Sequence, residues 1–183
     1  MSAIELMKNE HEYIKRMLSV VRNMCMEFID NNKLEYGDFL NVIDFIRNFA
    51  DGHHHNKEEI ILFNRMVDNI DTIGEKLITH GMLVEHDLGR LYVSNLEKAL
   101  NQFKSGDCEA KLDIIANAVS YTNLLKSHID KEDRVIFEFA NRELDRDILD
   151  VVDRECDKYE FENRQVREKY IDLLENLELK YLK

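Results

Sequence analysis

Residues 53–59 read His-His-His-Asn-Lys-Glu-Glu, so three histidines and two glutamates lie within about two helical turns. This local density of imidazole and carboxylate side chains is typical of metal ligands. Residues four apart lie on the same face of a helix, so His54 and Glu58 can point at one metal ion. His55 and Glu59 form the same pair, rotated by one residue.

A second pair with the same spacing occurs later in the chain, where Glu132 follows His128 by four residues. Two His-x-x-x-Glu pairs can face each other across the interior of a helical bundle. Either pair alone is a weak signal, but together they predict a site for two metal ions.

The composition favours an all-helical chain. The 183 residues include no proline and only 6 glycines, and they show little of the alternating pattern typical of strands. The formal net charge of −12 argues against nucleic acid or an anionic membrane as a partner. No apolar run approaches the roughly 20 residues of a membrane span.

The cysteines and the first residues favour a cytoplasmic protein. Cys25, Cys108 and Cys156 are isolated and odd in number, which fits reduced thiols better than a disulfide framework or a zinc cluster. Residues 1–5 lack the pattern of a signal peptide. We therefore expect a cytoplasmic location.

Helical periodicity of the apolar residues predicts four long helices. They cover residues 2–31, about 36–69, about 72–104 and about 108–141. The predicted stripe of the fourth helix ends with Val135 and Phe139. Short turns imply antiparallel neighbours, so we predict an all-α, up-down-up-down four-helix bundle over residues 1–142. Residues 143–183 are expected to add one or two C-terminal helices packed on this bundle.

Each of the four helices carries one histidine on its apolar stripe: His11, His54, His86 and His128. Counted from one end of the bundle, at a rise of about 1.5 Å per residue, these positions agree to about 6 Å along the axis. The prediction is one polar layer in the core, which also holds Glu58 and Glu132. Burying imidazoles and carboxylates together is costly, and metal ions offset that cost.

Iron is the metal that this set of ligands favours, and manganese is the second choice. Five histidines, with His55 beside the layer, and two carboxylates suit two divalent first-row ions with open coordination room. Glu58 and Glu132 are the natural bridges, because a carboxylate has two oxygens and an imidazole offers one nitrogen. Structural zinc sites prefer thiolates, and no cysteine lies in this layer.

Four motifs, taken in order, resemble the hemerythrin-like (HHE cation-binding) family. They are Asn-Glu-His-Glu at 9–12, His-His-Asn-Lys-Glu-Glu-Ile-Ile-Leu-Phe at 54–63, Met-Leu-Val-Glu-His-Asp-Leu-Gly-Arg at 82–90 and His-Ile-Asp-Lys-Glu-Asp-Arg-Val-Ile-Phe at 128–137. The resemblance covers about residues 5 to 140. It implies a four-helix bundle with a non-haem di-iron centre that binds or reacts with dioxygen.

Carried over by position, the resemblance implies six metal ligands: His11, His54, Glu58, His86, His128 and Glu132. His55 is our choice for the seventh, and Glu59 and Glu85 remain open alternatives. The oxygen-carrying hemerythrins have two histidines four apart on the third helix, whereas Met82 and Arg90 stand four positions from the histidine here. This departure argues against reversible oxygen carriage.

Three functions remain open from the sequence. The first is a di-iron protein that binds O2, peroxide or NO in oxygen sensing, scavenging or oxidative-stress defence. A histidine-rich site favours such binding, because neutral imidazoles do little to stabilise the high-valent iron that demanding oxidations need. The second is a peroxidase-like or oxygen-reducing enzyme, although the Glu-x-x-His spacing of ferritin-like oxidases does not occur at the layer histidines. The third is an iron store or an interaction protein, whose acidic tail serves a partner or a homodimer.

Residues near the motifs have ordinary interpretations. We expect His53 to be a surface neighbour, and Glu59 and Glu85 to be solvent-facing helix charges. Gly89 lies one turn beyond the layer histidine of the third helix, so we expect a void beside the metals that a diatomic ligand could enter. We expect Tyr121 to lie in the core with its hydroxyl near the rim.

Overall fold

The computed structural model describes residues 1–182, and this part of the chain is all-helical, with five helices and no strand. Helix α1 spans Ala3–Asn31 and α5 spans Arg146–Tyr181. Between them, α2 covers residues 36–69, α3 covers residues 72–104 and α4 covers residues 110–143. The all-α prediction is confirmed, and the predicted ends of the first four helices agree to about two residues. None of the helices in residues 1–182 is both long enough and apolar enough to cross a membrane.

A polar layer divides the apolar core into two clusters. Met7 and Phe137 belong to one cluster, and Ile14 and Leu125 belong to the other. His11 lies in α1 between Met7 and Ile14, so it has apolar packing above and below it along the helix axis. This packing holds the layer in place and excludes bulk water from it.

Three helices contain π-helical turns, in which backbone hydrogen bonds span five residues instead of four. These turns are Ile46–His55 and Lys57–Phe63 in α2, Ile78–Met82 in α3, and Glu132–Ile136 in α4. An extra residue in a turn rotates everything that follows it around the helix axis. Such turns often occur at functional sites, and here three of the four carry predicted ligands.

The π-helical turn in α4 corrects the predicted stripe of that helix. Val135 is exposed and Phe139 is only partly buried, whereas Ile136 and Ala140 are fully buried. The prediction based on regular helical spacing is wrong after Glu132, because the wider turn moves the buried face by one residue.

Helix α5 packs against α1 and α2, and it is one bent helix rather than two. Its backbone leaves helical geometry at Asn163, with φ −110° and ψ 15°. Val152 and Cys156 are buried before this bend, and Tyr170 and Leu174 are buried after it. The apolar stripe of the C-terminal extension is therefore used for packing within the chain.

Candidate metal centre

The seven predicted ligands meet in the polar layer. They are His11 from α1, His54, His55 and Glu58 from α2, His86 from α3, and His128 and Glu132 from α4. None of the seven is more than 6% exposed. Four helices thus bring five imidazoles and two carboxylates into one buried cluster.

The ligand atoms form two groups, and within each group all of them lie within 4.8 Å of one another. The two-histidine group consists of His11, His54, Glu58 and Glu132. The three-histidine group consists of His55, His86, His128 and Glu58. Each group is large enough to hold one metal ion, and Glu58 belongs to both.

Glu58 directs its two carboxylate oxygens to different groups. Oε1 lies 3.3 Å from Nε2 of His54 and 3.8 Å from Nε2 of His11. Oε2 lies 3.7 Å from Nε2 of His86, on the other side. Glu58 therefore stands between the two groups, as a bridging carboxylate must.

Glu132 repeats this arrangement from α4. Its Oε2 lies 3.3 Å from Nε2 of His11, in the two-histidine group. Its Oε1 lies 3.1 Å from Nε2 of His128 and 3.7 Å from Nε2 of His86, in the three-histidine group. Two carboxylates from two helices therefore face both groups.

Six polar atoms at the centre of the cluster are fully buried without a hydrogen-bond partner. They are Nε2 of His11, Nε2 of His54 and all four carboxylate oxygens of Glu58 and Glu132. A buried polar atom without a partner costs about 1–3 kcal/mol. Divalent cations would satisfy all six, and imidazole with carboxylate is a set of donors that suits first-row metals. The residues present therefore fit a pair of metal ions.

Each of the five histidines pairs its other ring nitrogen, Nδ1, with an outer carboxylate. The pairs are His11–Asp133 (2.7 Å), His54–Glu10 (2.9 Å), His55–Asp51 (3.3 Å), His86–Glu59 (2.6 Å) and His128–Glu85 (2.9 Å). An Nδ1–H that donates to a carboxylate fixes the tautomer and leaves the lone pair of Nε2 for a metal. Metal-ligating histidines are commonly held in this way.

Four of these outer carboxylates link the helices in chain order. Glu10 of α1 contacts the histidine of α2, Glu59 of α2 contacts that of α3, Glu85 of α3 contacts that of α4, and Asp133 of α4 contacts that of α1. Each is next to a predicted ligand in the sequence, so it points roughly 100° away around its helix, toward a neighbouring helix. The prediction that Glu59 and Glu85 face solvent is therefore wrong.

A cation accompanies each outer carboxylate. Lys15 contacts Asp133, Lys57 contacts Glu10, Arg90 contacts both Asp51 and Glu59, and Lys131 contacts Glu85. Burial raises the pKa of Asp51, but hydrogen bonds with His55 and Arg90 bring it well below its usual value. These cations keep the outer carboxylates ionised and able to accept from the histidines.

Charges in the cluster shift the pKa values of the histidines in different directions. Burial lowers the pKa of His54, but the charge of Glu58 and the hydrogen bond with Glu10 raise it to about 10. Burial and the nearby His86 lower the pKa of His55 to about 3. A metal ion that binds here must therefore displace protons from some of the histidines.

A cavity of about 110 Å³ adjoins the three-histidine group. His55, His86, Gly89 and Tyr121 are among the residues that line it. A Cβ atom at Gly89 would make only ordinary contacts, the nearest at 3.5 Å, so neither crowding nor the backbone conformation requires glycine at this position. The void expected beside Gly89 is present, and Tyr121 is buried as expected.

His53 is not a surface residue, and that prediction is wrong. Its side chain is 1% exposed, because α5 packs across the face of α2 from which it projects. Nε2 of His53 lies 2.8 Å from Oε1 of Glu160 and 3.1 Å from Oε1 of Glu10. Sequence reasoning missed this contact, because no pattern in residues 143–183 distinguishes Glu160 from the other charges there.

The family model of the hemerythrin HHE cation binding domain matches residues 2–140 of the chain. The matched segment includes every residue of the two groups and ends before α5 begins. No curated protein and no solved structure matches the chain.

Proposed function

The chain belongs to the hemerythrin HHE cation-binding family, and on that premise we propose that it is a non-haem di-iron protein that binds or reacts with O2, peroxide or NO. Its role would be oxygen sensing, scavenging or oxidative-stress defence. The observation that carries the proposal is the position of Glu58 and Glu132, each of which turns one oxygen toward each group of histidines.

The proposed ligands divide between the two ions. His11 and His54 would hold one ion, and His55, His86 and His128 would hold the other. Glu58 and Glu132 would contribute an oxygen to each. His55 is favoured as the seventh ligand, because Glu59 and Glu85 are already paired with the outer nitrogens of two other histidines.

Iron is proposed because a mixed imidazole and carboxylate set without thiolates suits iron better than structural zinc. Two iron ions, when bound, would supply the redox chemistry toward a small oxidant. The protein holds the imidazoles in one tautomer, keeps bulk water away by apolar packing on both sides, and leaves the cavity at Gly89 for a diatomic ligand.

The finer features of the fold and location belong to the same proposal. Because outer carboxylates join α1 to α4 in chain order and α4 back to α1, we propose an up-down-up-down bundle over residues 1–142, with residues 143–183 as an extension.

The free thiols of Cys25, Cys108 and Cys156 support a cytoplasmic location. A homodimer stays a prediction, which size-exclusion chromatography with light scattering tests.

Tyr121 supports a second candidate function, a peroxidase-like or oxygen-reducing enzyme. Its buried side chain borders the cavity, where the phenol could donate a hydrogen bond to an oxidant. Burial raises the pKa of Tyr121 above its ordinary value, so the phenol keeps its proton. Steady-state peroxide turnover by the iron-loaded protein separates this enzyme from a binding protein.

Metal analysis combined with an ultraviolet-visible spectrum is the first test of the proposed function. The protein is loaded and reduced without oxygen and then exposed to air. About two irons per chain with a reversible absorption band support binding, whereas irons that oxidise irreversibly and speed peroxide loss support the enzyme. No iron, or one tightly held zinc, contradicts the proposal.

Glu85→Gln is expected to lower iron affinity about 10–100-fold, as loss of an outer partner of a ligating histidine commonly does. The amide still offers an oxygen to Nδ1–H of His128, but it lacks the charge that makes the imidazole a stronger donor. Anaerobic competition with a chelator measures the affinity. Glu75→Gln is the matched control, because Glu75 lies exposed on the same helix, about three turns before His86. Equal affinities in the two variants would contradict the role given to Glu85.

Gly89→Leu is expected to weaken azide binding to the oxidised, iron-loaded protein by at least about tenfold, because its side chain occupies the cavity. Gly89→Ala is the control, since a Cβ atom there makes only ordinary contacts and leaves most of the space open. Spectroscopic titration measures azide binding, and metal analysis checks that all three proteins carry the same iron. Unchanged azide affinity in Gly89→Leu would show that ligands do not use this cavity.

A further inference from the structure

A second buried network lies beside the two-histidine group, and α5 contributes to it. Lys57 is completely buried, and its ammonium group contacts one oxygen of Glu10 and one oxygen of Glu160. His53 lies against the same two oxygens and stacks on Phe49. The network therefore joins α1, α2 and α5 through residues that are not among the proposed ligands.

One member of this network touches a proposed ligand directly. Nδ1–H of His54 donates to the second oxygen of Glu10 at 2.9 Å. Glu160 therefore reaches His54 through Lys57 and Glu10, in three successive charged contacts. Lys57, Glu10 and His54 are at most 1% exposed, so solvent screens these interactions little.

The other outer carboxylates are held by cations that face solvent. The side chains of Lys15, Arg90 and Lys131 are between 34% and 45% exposed. These three cations also lie inside residues 2–140, the segment that the family model matches, whereas Glu160 lies outside it. The connection to α5 is thus an addition that the family match does not cover.

We propose that Glu160 is a positioning residue for the metal centre, which it reaches through Lys57, Glu10 and Nδ1 of His54. This inference rests on the proposed di-iron function. A carboxylate that accepts from Nδ1 makes an imidazole a better donor to a metal. Without the charge of Glu160, the ammonium of Lys57 is balanced by Glu10 alone, so Glu10 attracts the proton of His54 less. The ion at the two-histidine group then becomes more electron-poor.

The same contacts couple the metal centre to the position of α5. Glu160 lies just before the bend at Asn163, and the hydroxyl of Tyr159 donates to the carbonyl oxygen of Gly52 at 2.8 Å. Coupling between two sites is reciprocal. Metal loading therefore strengthens the docking of this part of α5, and a movement of this part changes the metal site.

Glu160→Gln in the full chain tests the proposal, with Glu162→Gln as the matched control. Glu162 lies on the same helix with its side chain 57% exposed, so its substitution removes the same charge away from the network. The measured quantities are iron(II) affinity by anaerobic chelator competition, the reduction potential of the loaded protein and the thermal midpoint of the metal-free protein. We expect Glu160→Gln to lower iron affinity about tenfold, the low end for outer partners, and to raise the reduction potential. We expect Glu162→Gln to behave as the wild type.

Glu160→Asp keeps the charge on a shorter side chain and is expected to fall between the wild type and Glu160→Gln in both affinity and potential. A lower thermal midpoint with unchanged affinity and potential would make Glu160 merely structural and overturn the proposal. Equal shifts in Glu160→Gln and Glu162→Gln would overturn it too, because any charge on α5 would then have the same effect. A wild-type protein that binds no iron would refute the proposed function itself, and this inference with it.

Discussion

The Glu132→Ala variant is expected to hold at most one iron ion per chain, where the proposed di-iron site of the wild-type protein would hold about two. Oε2 of Glu132 faces His11 at 3.3 Å and Oε1 faces His128 at 3.1 Å, so one substitution would remove a proposed oxygen ligand from each group of histidines. Loss of an outer partner costs about 10–100-fold in affinity, and loss of a ligand to both ions should cost at least about 100-fold at the weaker one. Mass-spectrometric iron analysis after anaerobic loading and desalting measures the result.

Asp133→Ala is the matched control for this prediction. Asp133 is adjacent in sequence, but it contacts Nδ1 of His11 at 2.7 Å, outside the cluster. We expect it to bind about two irons at saturation with reduced affinity. Two irons held with wild-type affinity by Glu132→Ala would remove Glu132 from the ligand set.

The level of the four layer histidines could be predicted from the sequence because regular helical spacing determines it. His11, for example, continues a stripe in which Met7 and Ile14 are also buried, and the structure places it in the polar layer between the two apolar clusters. The rise per residue then gives the height of each histidine along the bundle. Prediction succeeds here because short-range periodicity alone is enough to place these side chains.

The π-helical turns could not be predicted in the same way. Regular spacing makes Val135 part of the buried stripe, but Ile136 is buried in its place after the turn in α4. We attribute the five-residue backbone hydrogen bonds of this turn to packing against the other helices, because no local residue pattern indicates them. A sequence-based stripe therefore loses its register at such a turn.

Contacts between distant parts of the chain also could not be predicted from the sequence. Lys57 and Glu160 are 103 residues apart, and no periodicity relates them. Glutamates such as Glu59 and Glu85 are usually exposed on helices, so nothing in the surrounding sequence indicates that either one contacts a histidine. The neighbouring helix supplies the histidine that each one contacts, and only the packed structure places that histidine within reach.

Lys57→Met is expected to lower the free energy of unfolding of the metal-free protein by about 3–5 kcal/mol. Methionine keeps most of the apolar stem, so the substitution removes the charge and leaves little empty space. Glu10 and Glu160 then share one buried site with no ammonium between them. For a chain of this size, the thermal midpoint should fall by roughly 6–20 °C, which calorimetry or circular dichroism measures.

Lys131→Met is the control for this second prediction. Lys131 contacts Glu85 with its side chain 45% exposed, so we expect its substitution to cost about 1 kcal/mol or less. Glu160→Gln added to Lys57→Met should recover part of the lost stability, because it leaves Glu10 as the one carboxylate beside His53, and the non-additivity measures the coupling of the two sites. Equal stabilities of Lys57→Met and Lys131→Met would contradict the prediction, because the buried ammonium would then contribute no more than an exposed one.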